Sequence, residues 1–119
     1  MPISQEEVAL HKYSIEEQVA ICICGMYREP PAMHLAYALA DAGDKVVPLL
    51  IERLKAQKEE AGQRNIIYIL KILFQEGQIG SKEDGIKEIE RVVAVMKDEV
   101  IRNRSQAMLE EIEGTVNKK

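Results

Sequence analysis

Apolar residues recur along this chain at spacings of three and four, the period of an α-helix that packs on one side. The pattern predicts six helices, over about residues 14–26, 31–42, 44–55, 63–76, 82–96 and 99–114. The fourth stretch is the most apolar, so we expect it to be contacted on several sides. The sequence therefore predicts an all-α protein with a central helix in its core.

Polar residues, proline and glycine mark where these helices begin and end. Ser14, with Glu17 three residues later, forms a capping-box pattern, in which the serine oxygen accepts a backbone N–H and the glutamate reaches back. Asp44 is expected to cap the third helix, with Pro48 in its first turn, where the missing N–H costs little. Gly43 is expected to take a positive φ and to close the second helix. Further cap signals lie at residues 4–7 and 81–84.

Three stretches of the chain end alike, on a glycine that follows a helix. These glycines are Gly43, Gly77 and Gly114, which are 34 and 37 residues apart. One helical hairpin cannot bury its own apolar face, whereas three hairpins side by side form a continuous core. The repeat predicts a single domain over residues 1–119, built from three stacked antiparallel hairpins. Its core is expected over about residues 14–114, with the middle hairpin most buried and residues 115–119 as a frayed tail.

Residues of the second and third hairpins match the pattern of a known helical repeat. The matching residues are Val46, Val47, Pro48, Leu49, Leu50, Leu54, Lys55, Arg64 and Gly77 in the second hairpin, and Met96, Lys97, Asp98, Arg102, Arg104, Leu109, Ile112 and Gly114 in the third. Through these residues the stretch 14–114 resembles the HEAT-like helical repeat family. The resemblance implies a right-handed α–α superhelix whose second helices line a concave side. A tetratricopeptide array, whose Trp and Leu-Gly-Tyr pattern is absent here, and an irregular helical bundle are the alternatives.

The same resemblance brings the polar faces of the second, fourth and sixth helices side by side. The residues on these faces are His34, Tyr37 and Asp41, then Arg64, Tyr68, Lys71 and Gln75, then Arg102, Gln106 and Glu113. Tyrosine and arginine often anchor binding partners, so these residues form a candidate groove for a protein or peptide. The alternative is that they are ordinary exposed positions, with Tyr37 and Tyr68 half-buried between hairpins.

Composition excludes several classes of protein. The chain is 46% hydrophobic, which is too apolar for disorder, and its two cysteines are too few for a disulfide scaffold. The longest apolar stretch, residues 19–27, is half of a membrane span. A net charge of −4 argues against nucleic acid binding, which needs a basic excess. We therefore expect no nucleic acid partner and no integral membrane segment.

The first residues bear on location. Residues 1–13 are acidic and polar and lack the apolar core of a signal peptide. The sequence predicts a cytoplasmic protein if Met1 is the native start, and a leader removed before Met1 would leave the location open.

No group of residues matches a known catalytic or metal-binding pattern. Cys22 and Cys24 point about 200° apart on a helix and cannot bridge each other, so they are expected to be small buried hydrophobes. His11 and His34 have no further ligand at metal-binding spacing. No glycine pattern matches a phosphate loop. We therefore expect no cofactor, no metal and no enzymatic activity.

Two roles then stand against each other. The first is a non-enzymatic interaction module that holds a peptide or acidic protein segment in the candidate groove. The second is a structural protein that forms homo-oligomers through apolar edges of its terminal hairpins, at Ile15 and Val19 or at Ile89 and Val92.

Overall fold

A computed structural model describes residues 10, 12–28, 31, 33–76, 79 and 82–117 of the chain. Within these residues lie six complete α-helices and no strand: α1 (Ile15–Gly25), α2 (Met33–Leu39), α3 (Val47–Ala56), α4 (Glu60–Glu76), α5 (Glu83–Ala94) and α6 (Glu99–Asn117). A 3-10 helix (Ala40–Lys45), interrupted by non-helical backbone at Gly43, follows α2. The predicted all-α class with six helices is confirmed for this part of the chain.

Local capping explains where the first helices begin and end. Ser14 Oγ accepts the backbone N–H of Glu17, and Glu17 Oε1 accepts that of Ser14, both at 3.2 Å, so the predicted capping box is confirmed. Gly43 has a φ of 65° and ends the helical run of α2, as predicted. Asp44, the predicted cap of the third helix, follows the kink at Gly43, and the residue directly before α3 is Val46, which makes no side-chain cap. Pro48 lies in the first turn of α3 as expected.

The glycine repeat holds only in part. Gly114 does not end α6, which continues to Asn117, so the predicted frayed tail is helical over residues 115–117. A glycine inside a helix costs only about 1 kcal/mol relative to alanine, which the packing of the preceding turns can outweigh. Gly77, Ser81, His11, residues 4–7 and residues 118–119 lie outside the described residues. The residue preceding α5 is Lys82, whose side chain makes no capping hydrogen bond.

The helices pack in the order that stacked hairpins require. The two helices of each hairpin contact each other, α1 with α2, α3 with α4 and α5 with α6. The second helices α2, α4 and α6 form one row of neighbours, and the first helices α1, α3 and α5 form another. Three hairpins side by side produce these contacts. The right-handed superhelix stays a prediction.

Helix α4 lies at the centre of this arrangement and contacts helices from all three hairpins. Its buried residues are Gly62, Asn65, Ile66, Ile67, Ile69, Leu70, Ile72, Leu73 and Phe74. The prediction that the fourth helix is contacted on several sides is confirmed. At its end the Phe74 ring occupies space that only glycine leaves free, since a Cβ atom at Gly85 would lie 2.6 Å from Phe74 Cζ.

A carboxylate joins the second hairpin to the third. Glu60, in the first turn of α4, accepts the backbone N–H groups of Lys97 and Asp98, at 2.9 Å and 2.8 Å. Asp98 Oδ1 in turn accepts the N–H of Ile101 at 3.0 Å and so caps the start of α6. The turn between α5 and α6 is thereby fixed against α4.

The apolar edges expected for self-association are not available. Val19, Ile89 and Val92 are buried, and Ile15 is partly buried. The outer flank of α6 instead carries polar residues, in a shallow depression against α5 that is lined by Glu90, Val93, Ala94, Arg102, Asn103, Gln106, Leu109 and Glu113. The prediction that these apolar residues form exposed edges for self-association is therefore wrong.

Candidate functional site

A groove opens where α2, α4 and α6 meet. It has a volume of about 410 Å³ and is lined by Met26, Pro31, Met33, Arg64, Asn65, Tyr68, Arg104, Ala107 and Met108. We call it the arginine–methionine groove. Arg64 and Tyr68 are four residues apart on α4, and Arg104 and Met108 are four apart on α6, so each pair lies on one helix face. The groove thus combines an apolar floor with two guanidinium groups.

Tyr68 is held in place by one contact to α2 and one to a neighbouring side chain on α4. Its hydroxyl donates to Met33 Sδ on α2 at 3.4 Å. The ammonium of Lys71 lies 5.5 Å from the centre of its ring, within range of a cation–π contact. Lys71 Nζ also lies 2.8 Å from Glu111 Oε2 on α6. The predicted residues Tyr68 and Lys71 therefore tie the three second helices together, and the charge of Lys71 is balanced by a carboxylate.

Arg64 and Arg104 differ from Lys71 in the groups that surround their charges. Arg64 is partly buried, and its Nη2 lies 3.4 Å from Asn65 Oδ1, a neutral acceptor. Arg104 is exposed. Neither arginine forms an ion pair with a carboxylate within the described ranges. The groove therefore holds two guanidinium groups without a carboxylate partner among the described residues, although the whole chain carries a net charge of −4.

Of the ten residues predicted to form the candidate groove, the structure places only Arg64 and Tyr68 along the arginine–methionine groove, with Lys71 beside them. Tyr37 is 51% exposed on α2, and His34 is partly buried on the same helix. Asp41 lies in the 3-10 helix, and Gln75 is exposed in the last turn of α4. None of these last four lines the arginine–methionine groove.

The predicted position of Arg102 needs a correction. Arg102, with Gln106 and Glu113, lines the depression between α5 and α6, on the flank of α6 away from the groove. The buried stripe of α6 has two polar edges, and helical spacing alone does not say which edge faces α4. The edge that does so carries Arg104 and Met108, whose spacing of four was the available signal.

A larger groove lies between α3 and α5. It measures about 660 Å³, and its lining residues are Asp44, Val47, Pro48, Ile51, Glu52, Lys55, Asp84, Lys87, Glu88 and Arg91. Three of its charged residues, Lys87, Glu88 and Arg91, form ion pairs within the protein. Arg91 donates through Nε to the mostly buried Glu88 at 2.8 Å and also through Nη2, and Lys87 pairs with Glu83 at 3.1 Å. The pairing raises the pKa of Arg91 and of Lys87. The larger volume of this groove therefore does not make it a better candidate binding site than the arginine–methionine groove.

The two cysteines differ in environment. Cys22 is buried, and burial raises the pKa of its thiol to about 12. Cys24 is exposed, which corrects the expectation that both are buried. A thiol with so high a pKa is almost entirely protonated near neutral pH and is a poor nucleophile. Over the described stretches, no three His, Cys, Asp or Glu side chains gather as metal ligands.

Comparison with protein families, with curated proteins and with solved structures found no match for this chain. In the part of the chain that the structure covers, no helix is both long enough and apolar enough to cross a membrane. The function must therefore be argued from the groove itself.

Proposed function

We propose that this chain is a non-enzymatic interaction module that binds a short segment of another protein in the arginine–methionine groove. The partner segment places an apolar side chain against the methionines and a carboxylate beside Arg64 and Arg104. The observation that carries the proposal is the joint lining of one groove by three methionines and two arginines that have no carboxylate partner in the described residues.

The chemistry of the floor supports a protein partner. Methionine is unbranched and polarizable, so it adapts to apolar side chains of different shape and is common at binding surfaces. Met26 is buried at the base, Met108 is partly buried, and Met33 is 41% exposed at the rim. An apolar anchor can therefore displace water from the floor without a change in the backbone.

The rim supports an acidic residue in that partner. Arginine binds carboxylates through two parallel hydrogen bonds, and such charge-assisted bonds are stronger than neutral ones. Tyrosine and arginine are also the residue types most often found at the energetic centre of interfaces. Tyr68, already fixed by Met33 and Lys71, would lose little conformational entropy on binding.

The proposed architecture belongs to the same proposal. The rows formed by α2, α4 and α6 and by α1, α3 and α5 are those expected of a HEAT-like stack. In such a stack the second helices line the concave side of a right-handed superhelix, and α2, α4 and α6 are the helices that border the groove.

Selection from a phage-displayed library of random peptides tests the proposed function. Peptides enriched on the wild-type protein are expected to combine an acidic residue with a neighbouring large apolar residue. Fluorescently labelled versions of these peptides are then titrated with variants, and binding is followed by anisotropy. Arg104→Glu is expected to weaken binding at least about tenfold, because it replaces attraction by repulsion at a carboxylate.

The matched control is Arg102→Glu, which makes the same charge change two residues away on the opposite flank of α6. Its affinity should stay within about twofold of the wild type, since a distant exposed charge contributes little. Failure to enrich any peptide family would overturn the proposal, as would equal loss of binding in Arg102→Glu and Arg104→Glu.

A further inference from the structure

Met33 is the most accessible methionine of the arginine–methionine groove. It is 41% exposed, whereas Met26 is 7% exposed and Met108 is partly buried. Met96, which lies outside the groove, is 4% exposed. An oxidant must reach the sulfur atom to react with it, so exposure orders the reactivity of the methionines. Met33 is therefore the groove methionine most open to oxidation.

The hydroxyl of Tyr68 lies next to the sulfur atom of Met33. It donates to Met33 Sδ at 3.4 Å and joins α4 to α2 across the groove. A thioether sulfur is only a weak hydrogen-bond acceptor, whereas the oxygen of a sulfoxide is strongly polar. Oxidation would give the Tyr68 hydroxyl a stronger acceptor and would place that acceptor at the rim of an apolar floor.

We propose that Met33 is a reversible modification site, at which oxidation of the thioether by hydrogen peroxide switches off binding in the groove. A sulfur lone pair attacks one peroxide oxygen, so that an S–O bond forms as the O–O bond breaks. The proton on the attacked oxygen passes to the departing hydroxide, which leaves as water. The sulfur loses two electrons and the peroxide gains them. The product is a polar sulfoxide, which methionine sulfoxide reductases can return to the thioether.

The effect of oxidation on binding follows from the apolar character of the groove floor. It rests on the proposed function. An apolar anchor that packs against Met33 would meet the sulfoxide oxygen instead. Burying that oxygen without a compensating hydrogen bond is unfavourable. Where the Tyr68 hydroxyl donates to the sulfoxide oxygen, the hydrogen bond crosses the floor of the groove. The groove then leaves less space for the apolar anchor.

The modification site is tested on the protein alone. Purified protein is treated with dilute hydrogen peroxide, and the sulfoxide at each methionine is followed over time by peptide-mapping mass spectrometry. Met33 should oxidise at least about tenfold faster than Met26 and Met96, since reactivity follows exposure. In Tyr68→Phe the rate at Met33 should rise about twofold, because the lone pair that attacks the peroxide no longer accepts a hydrogen bond. Equal rates at Met33 and Met96 would overturn the site, whether or not a partner peptide exists.

The switch is tested with the peptides enriched on the wild-type protein. Peroxide treatment should weaken their binding to the wild type about tenfold, and a methionine sulfoxide reductase should restore it. In Met33→Leu, which has an apolar side chain of similar volume, the affinity before treatment is the reference, and peroxide treatment should leave that affinity unchanged because the side chain has no sulfur to oxidise. Undiminished binding by the oxidised wild type would overturn the switch, as would an equal loss of binding in oxidised Met33→Leu.

Discussion

Glu60 Oε1 accepts the backbone N–H of Asp98 at 2.8 Å, and its other carboxylate oxygen accepts the neighbouring N–H of Lys97. One side chain at the start of α4 thus satisfies two donors in the turn that leads into α6. Since Asp98 also caps α6, this contact links the central hairpin to the start of the last helix.

Removal of the Glu60 carboxylate is expected to destabilise the protein. Glu60→Ala leaves two backbone donors without their charged acceptor, at a cost of about 1–3 kcal/mol in the free energy of unfolding, measured by urea denaturation. Glu59→Ala, one residue away on an exposed side chain, should change stability by less than about 0.5 kcal/mol. Hydrogen exchange should show faster exchange at the amides of Lys97 and Asp98 in Glu60→Ala. Unchanged protection of these amides would contradict the contact.

Two glycines in helices are expected to respond to alanine with opposite signs. Gly85→Ala should destabilise the protein by about 1–3 kcal/mol, because its Cβ atom would overlap the Phe74 ring. Gly114→Ala should stabilise it by up to about 1 kcal/mol, since open space surrounds that position and alanine favours the helix. Thermal unfolding followed by circular dichroism measures both. A shift of the same sign in the two variants would be incompatible with the packing of Gly85 on Phe74.

Removal of the Ser105 hydroxyl is expected to leave the protein equally stable or more stable. Its Oγ is fully buried and has no hydrogen-bond partner among the described residues. Ser105→Ala removes an unsatisfied polar atom with little change in volume, so stability should stay the same or rise by about 1 kcal/mol. Leu109→Ala, one turn along the same buried stripe, should instead cost about 2–5 kcal/mol. A loss of more than about 1 kcal/mol in Ser105→Ala would mean that the hydroxyl does have a partner.

Burial of Cys22 predicts a dependence of stability on pH. Its thiol pKa rises from 9.0 to about 12 on burial, so between these values the folded state holds a proton that the unfolded state has lost. The free energy of unfolding therefore falls as pH rises through this window, by at most about 1.4 kcal/mol per pH unit. Below pH 9 the contribution does not change with pH, since both states are protonated.

The variant Cys22→Ala isolates this effect. Its unfolding free energy should lack that part of the slope between pH 9 and pH 10, when compared with the wild type in the same buffers. Thiol labelling gives a second check, because native protein should be alkylated at Cys24 while Cys22 stays unmodified until the chain unfolds. Equal labelling of both cysteines in the native state would show that Cys22 is not buried.

Features decided within a few residues were predictable from the sequence. The Ser14–Glu17 capping box and the positive φ of Gly43 depend on atoms that are close along the chain, so residue type and spacing sufficed. Gly114 shows the limit of such rules. A glycine suits a helix end, yet α6 continues through it because tertiary packing can outweigh a local preference.

The candidate groove was only half predictable for a related reason. The polar face of α4 was found, because Arg64 and Tyr68 flank a long apolar stripe. On α6 the choice between Arg102 and Arg104 depends on how the third hairpin is rotated against the second, which periodicity does not contain. The sequence does not single out Met33, because methionine at helical spacing indicates a core as readily as a surface.

The polar outer flank of α6 affects how far such a stack could be lengthened by engineering. Repeat arrays grow when one apolar helix face is laid on another. On this flank a new hairpin would bury Arg102, Gln106 and Glu113, while the apolar Val93 and Leu109 beneath them are already less than 5% exposed. A design that adds a fourth hairpin there must first replace those three polar side chains with apolar ones.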